Sequence, residues 1–161
     1  MRWLKLFLFM IVVYGGFTIA GWLFPTAQEW YNQLAKPAFT PDGRIIGKVW
    51  AVLFFLIALS YTQAIQKQGT FRLPRGVWAL MFINYIFNQL FSYFQFSLKD
   101  LLLATVDAAF VSLTALALIL ALWNISRLSS LLLLPYFAWS SFATYLAFTI
   151  FEMNPGSTLL Y

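Results

Sequence analysis

The 161-residue sequence has no cysteine and no histidine, and its charged residues make up only 9% of it. The first absence removes disulfides and thiolate chemistry. The second removes imidazole as a metal ligand, as the base of serine and cysteine hydrolases, and as an axial ligand to haem iron. The shortage of charge excludes more. With 62% of residues hydrophobic and 20% aromatic, a soluble domain of this size could not hide its apolar surface, so the solvent for most of the chain is expected to be lipid. A linker-like stretch is missing too, which fits one domain over residues 1–161. The net charge of +5 does not point to nucleic acid, because the basic residues sit between apolar runs, as membrane flanks do.

A hydrocarbon core of about 30 Å needs about 20 apolar residues in a helix. Five segments qualify: 4–24, 45–65, 77–96, 101–123 and 131–151. The alternation of a β-barrel is not found, so the expected fold is all-α, a polytopic five-helix bundle with a long lid loop between the first two helices. The first segment stays apolar too long for a signal peptide and no A-x-A site ends it. Within it, Gly16 and Ala20 are spaced four apart for close helix contact. Five crossings put Arg2, Lys5, Lys67, Arg72, Arg75 and Arg127 on one side with no acid. The other side carries Lys36, Arg44, Lys48 and Lys99 beside Glu29, Asp42, Asp100 and Glu152. This asymmetry predicts a cytoplasmic N-terminus and an external lid.

Polar groups at membrane depth each need a partner or a purpose. At 100° per residue, Asn84, Asn88, Phe91, Ser92 and Gln95 share one face of the third segment within about a 100° arc. That face either meets a ligand or glues helices together. Asp107 is the one acid inside a helix, with structural pairing and proton transport as its two readings. Trp50, Phe54 and Ala58 stack at i, i+4 in the second segment, and Trp139, Ala143 and Ala147 share a face of the fifth. Large rings beside small residues leave a slot for a flat ligand, the bland reading being an interfacial aromatic belt, which accounts for Trp3, Trp22 and Trp123. In the lid, Lys36-Pro37 and Thr40-Pro41 disfavour a continuous helix. Trp30, Tyr31 and Leu34 can still form one amphipathic turn resting on the bundle.

These residues resemble the TspO family, the tryptophan-rich sensory proteins related to the mitochondrial translocator protein. The matching pieces are WYNQLAKPAFTP at 30–41, KVW at 48–50, NQLFS at 88–92, Asp107, and PYFAWSSFATYL at 135–146. They reach four of the five helices, in order and with family spacing. The resemblance implies a bacterial membrane protein, usually a homodimer, whose pocket under the first loop accepts porphyrins such as protoporphyrin IX and synthetic benzodiazepine-site ligands. Carried over by motif, the pocket is lined by Tyr31, Pro41, Trp50, Asn88, Phe91, Trp139 and Ala143; Asn84, one turn from Asn88, is expected to join them, and Ser92 and Asp107 complete the expected ligand-binding set. The chain departs from the pattern where Asp42 replaces the second proline of Pro-Pro, where Phe39 and Phe91 replace tryptophans, and at Ala147, Phe148 and Glu152 of the fifth helix. The Tyr-then-basic cholesterol motif of the animal members is absent.

The function expected is a membrane binding and sensing protein for tetrapyrroles, with ring faces held by indoles and phenyls, amides fixing orientation, and Lys36, Arg44 or Lys48 meeting the acidic tails. No metal site and no required cofactor are expected. One alternative is light- and oxygen-dependent porphyrin degradation with Trp50 and Trp139 as oxidisable partners, although no conventional base, nucleophile or metal motif is present. The other is a small-molecule transporter, which lacks a detectable inverted repeat.

Overall fold

The computed structural model describes residues 2–69 and 72–158. Its elements are α1 (Arg2–Leu23), a short α2 (Gln28–Gln33), α3 (Gly43–Gln68), α4 (Arg75–Ser92) continued by a π-helical turn (Tyr93–Ser97), α5 (Leu101–Trp123) and α6 (Arg127–Met153). Among the described residues there is no strand. Four of these helices, α1, α3, α5 and α6, are long and apolar enough to cross a membrane. The fifth crossing is α4 with its π-helical turn. Its 18 α-helical residues rise about 27 Å, and Asn84, Asn88 and Gln89 interrupt its apolar sequence.

Helix starts follow the caps. Asp42 accepts from the Arg44 N–H at 2.8 Å, Asp100 from Leu103 at 2.9 Å and Ser126 from Ser129 at 3.3 Å, each satisfying a donor that the first helical turn leaves free. The expected single third segment ends differently. The Leu98 N–H reaches back to the Tyr93 carbonyl at 2.9 Å, a five-residue step that turns Gln95 into the core and Phe96 toward the lid.

The helices form a ring in which α1 touches α3 and α4, α3 touches α6, α6 touches α5, and α5 touches α4. The apolar core runs through Leu53, Ile57, Ile65, Leu118, Leu133 and Tyr136. Hydroxyls stitch the ring where side chains are small. Ser60 donates to the Ser129 carbonyl at 2.8 Å, Ser130 to that of Ile119 at 2.8 Å, and Ser112 and Ser141 share a bond of 2.8 Å. The small face of α1 is used inside the chain. Ala20 is buried, and a Cβ on Gly16 would come within 3.6 Å of the Tyr85 ring on α4. Trp3, Trp22 and Trp123 are exposed near helix ends, as an aromatic belt requires.

Candidate functional site

The lid is a fastened structure. Its turn α2 places Trp30, Tyr31 and Leu34 against Leu101, Leu146 and Ile150. Beyond it the chain cannot continue as helix, because Pro37 and Pro41 restrict the residues before them. Asn154, just after α6, then clamps the strap from below: its side-chain oxygen accepts from the Ala35 N–H at 2.9 Å and its amide donates to the Ala35 carbonyl at 2.8 Å. Phe39 stacks on Tyr145 with ring centroids 5.6 Å apart. Lys36 donates to the carbonyls of Tyr31 and Leu34 and lies over the Tyr31 ring, so it is a lid brace as well as a candidate anion partner. Burial holds the Tyr31 phenol above its ordinary value of 10.0, so it stays a neutral hydroxyl at physiological pH.

Beneath the lid lie two adjoining chambers. The upper one, about 760 Å³, is walled by Tyr31, Lys36, Pro41, Arg44, Trp50, Phe91, Gln95, Trp139, Phe142 and Ala143. The inner one, about 350 Å³, is walled by residues including Phe17, Phe54, Asn88, Phe91, Ser92, Val111, Ser140 and Ala143. Trp50, Phe91, Phe96 and Ala143 belong to both. Both volumes fall in the range of about 300–1,000 Å³ typical of small-molecule sites. The rings come from α1 to α4, the π-helical turn and α6, and most of the lining is apolar, which is the composition of such sites.

Of the sequence-predicted residues, Tyr31, Pro41, Trp50, Asn88, Phe91, Ser92, Trp139 and Ala143 therefore share these walls. Asn84 and Asp107 line neither chamber. Asn84 is fully buried one turn below Asn88, and its amide is consumed by helix contacts: it donates to the Val111 carbonyl at 3.2 Å and to Thr114 at 2.8 Å. Its oxygen accepts from the Tyr136 hydroxyl at 3.1 Å, while that hydroxyl accepts from Asn88 at 3.3 Å. Asp107 is buried, and neither carboxyl oxygen has a hydrogen-bond partner among the described residues. A helical projection shows which way a side chain points but not its depth, and Asn84 stands one turn further along α4 than the chamber-lining Asn88.

Tyr136 is the residue that the sequence reading passed over. Its ring meets Trp50 edge-on at 6.2 Å, so it joins the amides of α4 to the indole of α3. The available signal was its place three residues before Trp139, on the same face of α6. Asn154 was also missed. An Asn just past a helix C-terminus looks like an ordinary cap, and only the tertiary contact shows it holding the lid.

Asp42 caps α3 where the lid ends. The Arg44 backbone N–H, then its guanidinium at 3.3 Å, keep the Asp42 carboxyl below the ordinary value of 3.8. A depressed acid stabilises the fold above its unfolded value and loses that contribution as pH falls through its folded value. Amide exchange at Arg44 is thus expected to quicken below about pH 4 and to be pH-independent, after correction for intrinsic rates, from pH 5 to 8. Asp42→Asn, which keeps an accepting oxygen, should flatten the profile.

The sequence matches the TspO/MBR family over residues 7–153. It is 52% identical over 143 residues to the tryptophan-rich protein TspO of Bacillus cereus, covering 89% of this chain and 92% of the relative. It is 49% identical over 144 residues to the uncharacterized membrane protein YtaB of Bacillus subtilis, again covering 89% and 92%. The human translocator protein is 29% identical over 133 residues, covering 80% of this chain and 76% of that protein.

Proposed function

Because this chain belongs to the TspO/MBR family of membrane proteins, we propose that it binds and senses flat hydrophobic molecules of the tetrapyrrole class, protoporphyrin IX being the type, in the chambers under the lid. The observation that carries this reading is the joined aromatic space between Trp50, Phe91, Trp139 and Phe142 beneath a tied lid. A planar macrocycle gains most from ring faces and from leaving water. Asn88, Ser92 and Gln95 in the walls offer hydrogen bonds that fix its orientation. Arg44, whose side chain is 90% exposed beside the upper chamber, is placed to meet an acidic tail at the mouth. Without His or Cys, metal-free porphyrin binds at least as well as haem. Titrating the reconstituted protein with protoporphyrin IX should quench tryptophan emission saturably at one porphyrin per chain; quenching that rises with lipid-dissolved porphyrin and never saturates removes this reading.

We further propose that the N-terminus is cytoplasmic and the lid external. The end that gathers the termini of α1, α3, α4, α5 and α6 carries Arg2, Lys5, Lys67, Arg72, Arg75 and Arg127 with no acid, and membrane proteins keep such loops inside. Gln33→Cys is expected to react with a membrane-impermeant thiol reagent in intact cells, and protection until lysis reverses the orientation.

A further inference from the structure

Asn154, Phe39 and the Trp30–Leu34 turn hold the lid against α6 and its neighbours. The inner chamber has a side. Along most of their length α1 and α3 are in contact, from the Arg2 guanidinium on the Gln66 carbonyl at 2.9 Å to the rings of Phe17 and Phe54 at 5.4 Å. α1 also meets α4, from Phe9 on Trp78 at 6.1 Å to Phe17 on Tyr85 at 5.4 Å, and past Phe17 the contacts to α4 and its π-helical turn continue. The Ala20 N–H donates to Gln89 of α4 at 2.9 Å, and Phe24 packs on Tyr93 at 5.4 Å. The lid-side end of α1 is therefore tied to α4, and no equivalent bond or ring contact joins it to α3 among the described residues.

Where those helices part, residues of both line the inner chamber. Its rim is Thr18 and Gly21 on α1 and Gly43, Gly47 and Ala51 on α3. A Cβ added at Gly21, Gly43 or Gly47 would meet no atom within 4 Å. On both sides the neighbouring surface is that of membrane-spanning helices, with Ile19, Trp22 and Val52 exposed. From this rim the chamber runs inward to Asn88 and Val111 and adjoins the upper chamber at Trp50, Phe91 and Ala143.

We propose that the opening between α1 and α3 is the door of the site, and that the ligand enters sideways from the lid-side leaflet of the bilayer instead of from water past the lid. The inference rests on the reading of the chambers as a tetrapyrrole-class site. It fits the ligand chemistry: a flat hydrophobic molecule concentrates in lipid, and a route lined by Gly and Ala admits a plate that bulkier side chains would stop.

A door differs from a pocket wall in kinetics. Narrowing a door slows entry and exit by the same factor and leaves the equilibrium alone, whereas damage to a wall changes affinity. Protein in phosphatidylcholine vesicles is mixed with protoporphyrin IX, and tryptophan quenching is followed in time for Gly47→Trp, Gly21→Phe and Asn154→Ala. Removing either glycine from a helix interior favours the helix, and the two rim variants come from opposite sides, so one serves if the other is poorly made. Each rim variant is expected to lower association and dissociation together by about tenfold, with Kd nearly constant. Asn154→Ala, which frees the lid, is expected to bind at the wild-type rate. Wild-type rates in both rim variants, or faster entry when the lid is freed, overturn the lateral route and move entry to the lid. A fall in affinity at an unchanged association rate also overturns it, by making the rim part of the pocket. Wild-type protein that gives no saturable quenching defeats the proposed function itself, an outcome the rim variants cannot mimic.

Discussion

Alanine at Trp50 or at Trp139 is expected to weaken protoporphyrin IX binding by about thirtyfold each, while phenylalanine at Trp139 costs less than about threefold. The asymmetry follows from which part of the indole the site uses. Both tryptophans wall the upper chamber, and each is held by another ring, Trp50 by Phe54 at 5.5 Å and Trp139 by Phe142 at 5.3 Å. Their contribution is a rigid apolar plate, and losing one central aromatic anchor costs about 2 kcal/mol, equivalent to about thirtyfold in Kd. The Trp139 Nε1–H, by contrast, is covered by protein and has no acceptor among the described residues. It cannot hold a ligand, and in the fold it is a buried donor left unpaired, which costs free energy. Phenylalanine keeps most of the plate and removes the donor, so the ligand-free protein should melt at the same temperature or slightly higher. If Trp139→Phe proves as damaging to porphyrin affinity as Trp139→Ala, the indole N–H is engaged by ligand and the stacking account is wrong.

The largest stability effect is expected below the site. Tyr136→Ala should destabilise the folded bundle by about 3–5 kcal/mol, since it empties a fully buried ring position. It also strips Asn84 and Asn88 of the hydroxyl that bridges them at 3.1 and 3.3 Å. Tyr136→Phe separates the two terms by keeping the ring. Hydrogen bonds between membrane helices average about 0.6 kcal/mol because the unfolded chain in lipid also finds partners, so the phenylalanine variant should lose only about 1 kcal/mol. Unfolding in mixed micelles at increasing dodecyl sulfate, followed by circular dichroism, measures both. Equal losses for the two variants would make the hydroxyl, not the ring, the main support, and would imply that the Asn84 and Asn88 amides find no other partner. Porphyrin affinity should suffer in Tyr136→Ala even where folding is restored by lipid, because Trp50 loses the ring it rests on.

The five crossings were legible because hydropathy, length and proline placement all gave the same answer. The α5 limits, Leu101–Trp123, coincide with the expected segment since Asp100 is an unambiguous cap in sequence. α6 begins four residues before the expected 131 because Ser126 caps it, and the polar Ser129 and Ser130, which looked like loop, are buried against α3 and α5. The π-helical turn was invisible, as no residue in Tyr93–Ser97 demands it; it arises from packing of the chain end against the lid and α1. Residues that wall the chambers were readable from ring and amide periodicity, whereas Asn84 was not separable from Asn88 by angle alone, and Asp107 stands on another helix, where that angle says nothing. Only the third dimension places Tyr136 between the amides and Trp50. A pocket under the lid was expected, but its division into two chambers was outside the reach of sequence.

The Ser60, Ser130 and Arg2 bonds all lie toward the basic end of the ring, and the chambers all lie toward the other. α3, with 26 residues, is about 39 Å long, and Ser60 stands about 12 Å from its basic end and about 25 Å from Gly43, so a molecule wedged against Trp50 would bear on the longer arm.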